Sequence, residues 1–597
     1  MAGEHLGVIL APARSRGQHL PRSILYAFKN GAVESTVLLS DGFRLKGHLG
    51  IVAKFTLLLD LLVGFRQRKR LEIDIQGLLR FGGIGMLAAE SFKQYIDRFN
   101  TDDDELYVQH ISNPHAWEFL KDNIPLFECP DPVVERTYYF RWWTYRKHIK
   151  KTPDGFVITE FLPAVPWAGK HNTINCTASL HINEGRWLRD QRYLDDYATF
   201  WFRKGGALRS YTTWLAHAIC THSVVTGDHK LPDMLLDDFV ANYRAWEQGW
   251  QYPYGDQGPR IGQRENGLFF TLDGCDGGEV SIGGHGFRPL LNSAMFGEAT
   301  AIASVARRAG RGDLAREFGD KAARIKQLIQ TRLWDREAAF FKVLPEDESR
   351  LADVRELYGY APWFFNLPDP GYERGWSQLM DPRGFCAPFG PCFAEQRHPQ
   401  FVISYEGHEC QWNGPSWPMS TSIVLTALAN LLNNYDQASA TVEDYFRTFL
   451  IYAGSHRLVL EDGKEVSWID ENLNPFTGDW IARTRLKSWT DGGWDEGKGG
   501  RERGKDYNHS TYCDLVITGL VGLRPREDDV VEINPLIPPE RWDYFCLDAV
   551  PYHGRILTII WDCEGNRYGH GAGLQLWVNG RRMAQRNNIG RLCCVLM

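Results

Sequence analysis

Between residues 113 and 523 apolar residues recur every three to four positions. That spacing lays one face of an α-helix against a core. Leu235, Phe239, Tyr243 and Trp246 form one such stripe, and Leu314, Phe318, Ile325 and Leu328 form another. The same pattern predicts helices near 180–202, 211–225, 291–309, 415–432, 440–454 and 510–522. Connectors rich in Gly, Pro and Asn separate them, such as GDQGPRIGQRENG at 255–267 and FGPCFAEQRHPQ at 389–400. About a dozen helices on short loops argues for helical hairpins stacked around a common core. Beyond Leu523 the period shortens to that of strands. RILTIIWDCEGNRY and GLQLWVNGRRM are rich in β-branched and aromatic residues, and Asn579-Gly580 is a two-residue hairpin signal. The chain therefore divides into a weakly patterned N-terminal region at 1–90, open to reading as a shortened β-domain, a helical body at 91–525 and a C-terminal strand segment at 526–597. No repeat period of a solenoid is present.

Composition narrows the function. The chain has 597 residues, 43% hydrophobic and 24% charged, the make-up of a soluble globular protein. Its net charge of -7 gives no reason to expect a nucleic-acid partner, and the basic run RQRKR at 66–70 reads as solvated surface. The apolar run at 51–65 carries Lys54 and Asp60 and is shorter than the roughly 20 residues of a membrane span. Twelve cysteines are scattered without a C-x-x-C pair, and no metal-ligand spacing or cofactor motif appears. Asn175-Cys176-Thr177 and Asn508-His509-Ser510 match the glycosylation tripeptide. The first residues lack a signal-peptide layout, which leans towards the cytoplasm and leaves localisation open. Oligomeric state is not legible. Neither G-x-S-x-G nor a Walker loop is present. The aromatic excess of 21 Trp, 24 Tyr and 32 Phe suits a large core, and also a cleft whose flat faces carry a sugar.

Two acidic loops stand out. WIDENLNPFTG at 468–478 places Asp470 beside Glu471 in an aromatic setting, closed by a Pro and a Gly. DGCDGGEVSIGGHGFRP at 273–289 holds Asp273, Asp276 and Glu279 among glycines, with Arg288 before a helix. Each loop alone reads as a turn or a cap. Together they offer the acid and the carboxylate that glycosidic cleavage needs on opposite faces of a bond. A third stretch, CQWNGPSWPMSTS at 410–422, sets Trp412 and Trp417 around a Gly-Pro turn with Asn413 between them. It is either a stacking platform with a hydrogen-bonding amide or a pair of core tryptophans.

These stretches carry a family resemblance. WNGPSWP is similar to the W-x-G-P-x-W-P signature of the six-hairpin glycosidases of glycoside hydrolase family 63 and its relatives, and DENLNPFTG resembles their E-N-Y-N-P-x-T-G loop. NIPLFECP, YYFRWWTYRKHI, RPLLNSAMFG and KDYNHSTYCDLVITGLVGLRPR resemble the mannosylglycerate-hydrolase-like subgroup. The resemblance implies an (α/α)6 toroid and inverting, exo-acting hydrolysis of a carbohydrate, without fixing the sugar. It puts the general base at Glu471 and the general acid at Glu279, a Glu where those relatives have Asp; Asp276 is the alternative acid. The acid must keep its proton near neutral pH, and Asp276 is a candidate source of the negative charge that helps it.

Further residues are expected at the sugar. They are Arg141 and Trp142 in the aromatic helix at 138–148, Glu160, Trp167 and Lys170 in TEFLPAVPWAGKHN, Arg288, and His509, with Asp514 a candidate to back Glu471. For each, a packed or solvated role competes. TDDDE at 101–105 reads as a solvated helix start. Two rivals to hydrolysis remain: a glycoside phosphorylase, although no Lys/Arg cluster accompanies Glu471 in sequence, and a non-catalytic carbohydrate-binding protein.

Overall fold

The computed structural model describes residues 86–251, 259–347, 349–484, 500 and 502–596, together with the backbone of an antiparallel hairpin, Leu25–Lys29 with Ala32–Thr36. The chain splits into two compact units, Met1–Gly83 and Ile84–Met597. The runs at 51–65 and 66–70 lie outside the described residues. All that follows concerns the second unit.

Its helical part comprises α1 (Lys93–Thr101), α2 (Ala116–Asn123), α3 (Pro132–His148), α4 (Ala178–Gly185), α5 (Arg192–Arg203), α6 (Leu215–Thr226), α7 (Lys230–Gln248), α8 (Pro289–Arg308), α9 (Gly312–Leu328), α10 (Pro418–Asn434) and α11 (Val442–Ser455). Their starts follow local chemistry. Asp131 caps α3 by accepting from the backbone N–H groups of Val133 and Val134, and Pro132 fills the first turn, where no donor is needed. Thr441 and Asp444 form a reciprocal capping box on α11. The expected helix at 180–202 is two helices, broken where Arg186 and Trp187 converge on Asp514 at 2.9 and 2.7 Å. The stretch at 510–522 shortens to Cys513–Leu515 followed by one wide π-turn.

Neighbouring helices pack in series: α6 on α4, α7 and α8, α8 on α7 and α9, α10 on α11. α11 returns to pack on α3, and Cys513–Leu515 touches α3, α4 and α10. One apolar core runs through the unit from Phe92 to Leu596. From Thr137 to His148 α3 is buried on all sides, so its polar end must find partners inside. Lys147 meets Asp103 at 2.9 Å and Asp506 at 2.5 Å. The TDDDE cluster is therefore not a helix start, and its solvation holds for Thr101, Asp102 and Asp104 while the Asp103 side chain is enclosed. It follows α1, and burial that would raise the Asp103 carboxyl is outweighed by Lys147 beside it, which holds it below the usual range.

The C-terminal part is β-rich. β2 (Tyr544–Tyr552), β3 (Arg555–Asp562), β4 (Gly573–Val578) and β5 (Arg581–Arg586) form an antiparallel sheet in order β5-β4-β3-β2, and β1 (Leu126–Glu128) adds to the β2 edge. Asn579 and Gly580 both have positive φ, 49° and 77°, as the predicted hairpin turn requires. The strand β1, which precedes α3, thus ties this sheet to the helical part. Among the described residues no helix is long and apolar enough to cross a membrane.

Candidate active site

The two acidic loops meet at one cavity of about 220 Å³. Glu279 and Glu471 both line it, with Glu160, Glu409, Arg503, Trp412 and Trp417 around them.

Glu279 sits at the end of a tightly pinned loop. Thr271 closes the strand Phe269–Thr271, and Asp273 then caps the turn Gly274–Asp276 by accepting from the Gly274 N–H. Gly277 takes a left-handed φ of 59° with Cys176 and Tyr358 close by, a place only glycine fills without strain. Asp276 is the peg behind the loop. Its two oxygens accept from Thr212 Oγ1 at 2.6 Å and Arg288 Nε at 2.8 Å, and Arg288 also donates to the Gly284 carbonyl at 2.5 Å. The Glu279 carbonyl accepts from the Trp412 N–H at 3.2 Å, which ties the loop to the tryptophan turn. Burial, with Asp273 and Glu471 as negative neighbours, pushes the Glu279 carboxyl up to about 8. The negative help comes from Asp273 and Glu471, where Asp276 had been expected.

In the second loop the adjacent carboxylates divide the work. Asp470 faces the backbone: its oxygens accept from the N–H groups of Glu471 at 2.7 Å and Arg483 at 2.6 Å. Burial and the neighbouring Glu471 push Asp470 up to about 7. Glu471 faces the cavity. Arg503 Nη2 donates to its Oε1 at 2.6 Å, while Arg503 Nη1 donates to Glu409 at 3.1 Å. Arg503 and Glu471 are 4% and 1% exposed at their side chains. The Cys410 thiol lies 3.6 Å from Oε2, and His509 Nε2 donates to the Glu471 carbonyl at 3.1 Å. Gly504 lets the Arg503 segment come this close; a Cβ there would press on Asp470 Oδ1.

The tryptophan turn forms a wall. Trp412 and Trp417 stack in parallel with ring centroids 3.8 Å apart, and Trp417 Nε1 donates to the Gln411 carbonyl at 2.8 Å. The turn locks to the Glu471 loop through paired Ser416 and Leu473 bonds of 3.0 Å each. Glu160 accepts from Tyr507 and from Thr177 Oγ1, and burial raises it to about 7. The cavity thus brings together a carboxylic acid that keeps its proton near neutral pH, a carboxylate held by an arginine, and aromatic surface. That set can donate a proton, activate a water and stack against a ring.

Residues 170–510 match the model of the mannosylglycerate hydrolase MGH1-like glycoside hydrolase domain, more than half of the chain, and span both loops and the tryptophan turn. The chain belongs to the MGH1-like glycoside hydrolase family. Residues 523–584 match the C-terminal domain of glycosyl hydrolase family 65. A solved structure named Sialidase is 39% identical over 85% of this chain and 45% of its own, with a TM-score of 0.76. The chain thus spans less than half the length of that protein. A GH63 mannosylglycerate hydrolase from Thermus thermophilus, solved with Tris, is 12% identical over 64% of this chain and all of its own, with a TM-score of 0.45. A GH78 family rhamnosidase of Bacillus sp. GL1 is 11% identical over 76% of this chain and 41% of its own, at 0.49.

The remaining expected residues divide between the cavity and the packing behind it. Glu160, Trp167, Trp412, Trp417 and His509 line the cavity with Glu279 and Glu471. Asp276 and Arg288 lie behind the Glu279 loop, where each is spent on the other. Arg141 and Trp142 are packed in α3 away from the lining. Arg141 donates to the Ser510 carbonyl at 2.5 Å and reaches Tyr452 and His456 at 3.1 Å, and Trp142 packs on Tyr138 and Tyr145. Asn413 is outside the lining, and its backbone carbonyl accepts from the Val402 N–H at 3.3 Å. Lys170 stands at the surface, paired with Asp154 at 2.6 Å. Asp514 anchors Arg186 and Trp187 instead of backing Glu471. Sequence reasoning missed Arg503 and Glu409. Arg503 belongs to the mixed-charge run RERGKD, which has no pattern separating a buried arginine from a solvated one, and Glu409 stands one residue before the quoted tryptophan stretch. Among the described residues no cluster of His, Cys, Asp or Glu has the make-up of a metal site.

Proposed function

We propose that the chain is an inverting, exo-acting glycoside hydrolase whose helices form an (α/α)6 toroid over about 91–525, followed by the β-rich segment 526–597. Glu279 donates its proton to the glycosidic oxygen as the bond breaks. Glu471 takes a proton from the water that attacks the anomeric carbon on the opposite face. The observation that carries this reading is the pairing, in one cavity, of a Glu279 carboxyl raised to about 8 with a Glu471 carboxylate bonded to Arg503. Arg503 holds Glu471 in place at 2.6 Å; the stacked tryptophans and Glu160 hold the sugar. The cavity, at about 220 Å³, is smaller than the roughly 300–1,000 Å³ of drug-sized ligand sites. That size suits one terminal sugar, hence cleavage from a chain end.

The family 65 C-terminal match favours a second reading, phosphorolysis. The cavity charge opposes it. With Glu279 keeping its proton and Glu160 raised to about 7, Glu409 and Glu471 remain, and both already hold Arg503, the one arginine in the lining. A phosphate there would meet net negative charge. The same count opposes a carboxylate-bearing sugar such as the name of the 39% identical structure raises. The substrate is therefore a neutral glycoside. A panel of neutral aryl glycosides and plant-wall oligosaccharides, run with and without phosphate, tests this. Sugar release in water supports the reading, and release only with phosphate overturns it in favour of phosphorolysis. Binding without turnover across the panel would make the chain a carbohydrate-binding protein.

A further inference from the structure

A second, larger cavity of about 620 Å³ lies apart from the candidate active site, with no lining residue in common. One face of α11 forms its floor. Glu443, Phe446, Arg447, Leu450, Ile451 and Gly454 follow each other at the spacing of a single helical stripe. Phe446 in this stripe is buried against Trp542, while Arg447, Leu450 and Ile451 border the open groove. Phe389 and Pro388 continue the apolar surface.

Charge around this groove is unbalanced. Four arginines line it against two glutamates. Glu465 is shared by Arg136 at 3.1 Å and Arg457 at 3.0 Å, and Glu443 is taken by Arg541. Arg447, exposed on α11, has no carboxylate partner among the described residues. The groove is therefore cationic, while the candidate active site is anionic. Gly454 closes the stripe in the last turn of α11, and a Cβ there would meet nothing within 4 Å, so the groove is open at that end.

We infer that this groove binds an acidic oligosaccharide, with guanidinium groups on its carboxylates and sugar faces against the apolar floor. Planar carboxylates match arginine's paired donors better than lysine's single charge, and all four cations here are arginines. The charge argument stands on the groove alone. Naming a saccharide as the carrier rests on the glycosidase reading. The groove also borders the scaffold of the Glu471 loop: the Phe389 N–H donates to the Pro475 carbonyl at 2.9 Å and Trp480 Nε1 to the Arg457 carbonyl at 2.9 Å. An acidic chain held here would rest against the back of that loop.

Calorimetric titration of the full chain carrying Glu279→Gln separates binding from turnover. The probes are a trimer of galacturonate, a neutral glucose trimer, inorganic phosphate and an acidic peptide of equal charge. The uronate trimer is expected to bind, more weakly as salt rises. Arg447→Gln should weaken it about tenfold, the loss of one charge-assisted contact. Gly454→Leu, which fills the groove and removes no charge, should weaken it at least as much. Melting curves identify any variant that misfolds, and exposed Arg447→Gln is the one least at risk. No saturation by the uronate trimer at millimolar concentration overturns the inference. So does binding that neither variant changes, or equal binding by phosphate or by the peptide. Failure of every glycoside panel leaves this titration interpretable, because it reads no hydrolysis.

Discussion

Arg503→Gln is the perturbation that most sharply separates a working Glu471 from a merely buried one. The pair is close, at 2.6 Å, and both side chains are almost wholly enclosed. Removing one partner of such a pair strands the other and costs about 3–5 kcal/mol of stability. Arg503 also holds Glu409 at 3.1 Å, so the substitution takes this cation from two enclosed carboxyl groups at once. Glu471 also loses the contact that fixes its Oε1, so turnover should fall by about 10²–10⁴-fold. Denaturant melts read the first effect and initial rates read the second. Adding Glu471→Gln to the variant should restore much of the lost stability and none of the activity. A variant as stable as the wild type, or one with near-wild-type turnover, would refute the pairing.

Other outcomes follow from the same geometry. Glu279→Gln should cost about 10²–10⁴-fold in kcat with the fold intact. The wild type should lose kcat/KM as pH rises through about 8, where Glu279 gives up its proton, and the variant should lack that limb. Because Glu279 is raised from 4.5 to about 8, the wild type should lose stability across that interval and the variant should lose less. Trp412→Ala removes a ring that is 2% exposed and stacked on Trp417, so thermal melts should show about 3–5 kcal/mol of lost stability together with weaker inhibitor binding. Unchanged affinity in a folded variant would confine Trp412 to the core. Gly504→Ala should impair both folding and rate, because its Cβ would press on Asp470 Oδ1; a fully active, equally stable protein would show that the two loops can part there without consequence.

The sequence made the helices legible because their stripes are long, and the C-terminal hairpin legible because Asn579-Gly580 admits few other turns. Break points were less visible. The interruption between α4 and α5 depends on Asp514, more than 300 residues away, which gathers Arg186 and Trp187. At the candidate site, the motifs marked the loops better than the individual roles. Asp470 and Glu471 are neighbours in the chain, yet one turns to backbone N–H groups and the other to the cavity. Nothing in their one-letter context distinguishes them except the resemblance. Arg141 and Trp142 occupy an aromatic helix that looked like a sugar wall, but a helix aromatic on every side is one buried on every side. Arg503 was hidden for the opposite reason: a charged run reads as surface until tertiary packing encloses one member.

If Glu279 and Glu471 cleave a neutral glycoside from opposite faces, the first-formed sugar must carry the inverted anomeric configuration. An inverting pair needs about 6.5–9.5 Å between its carboxyl groups to admit a water, whereas a retaining pair, at about 5–5.5 Å, attacks directly. Proton NMR of a cleaved aryl glycoside, recorded before mutarotation, reads the outcome. The expected product anomer is opposite to the substrate's, with no such signal from Glu279→Gln or Glu471→Gln. A product of the same anomeric configuration, or full release by either variant, would contradict it.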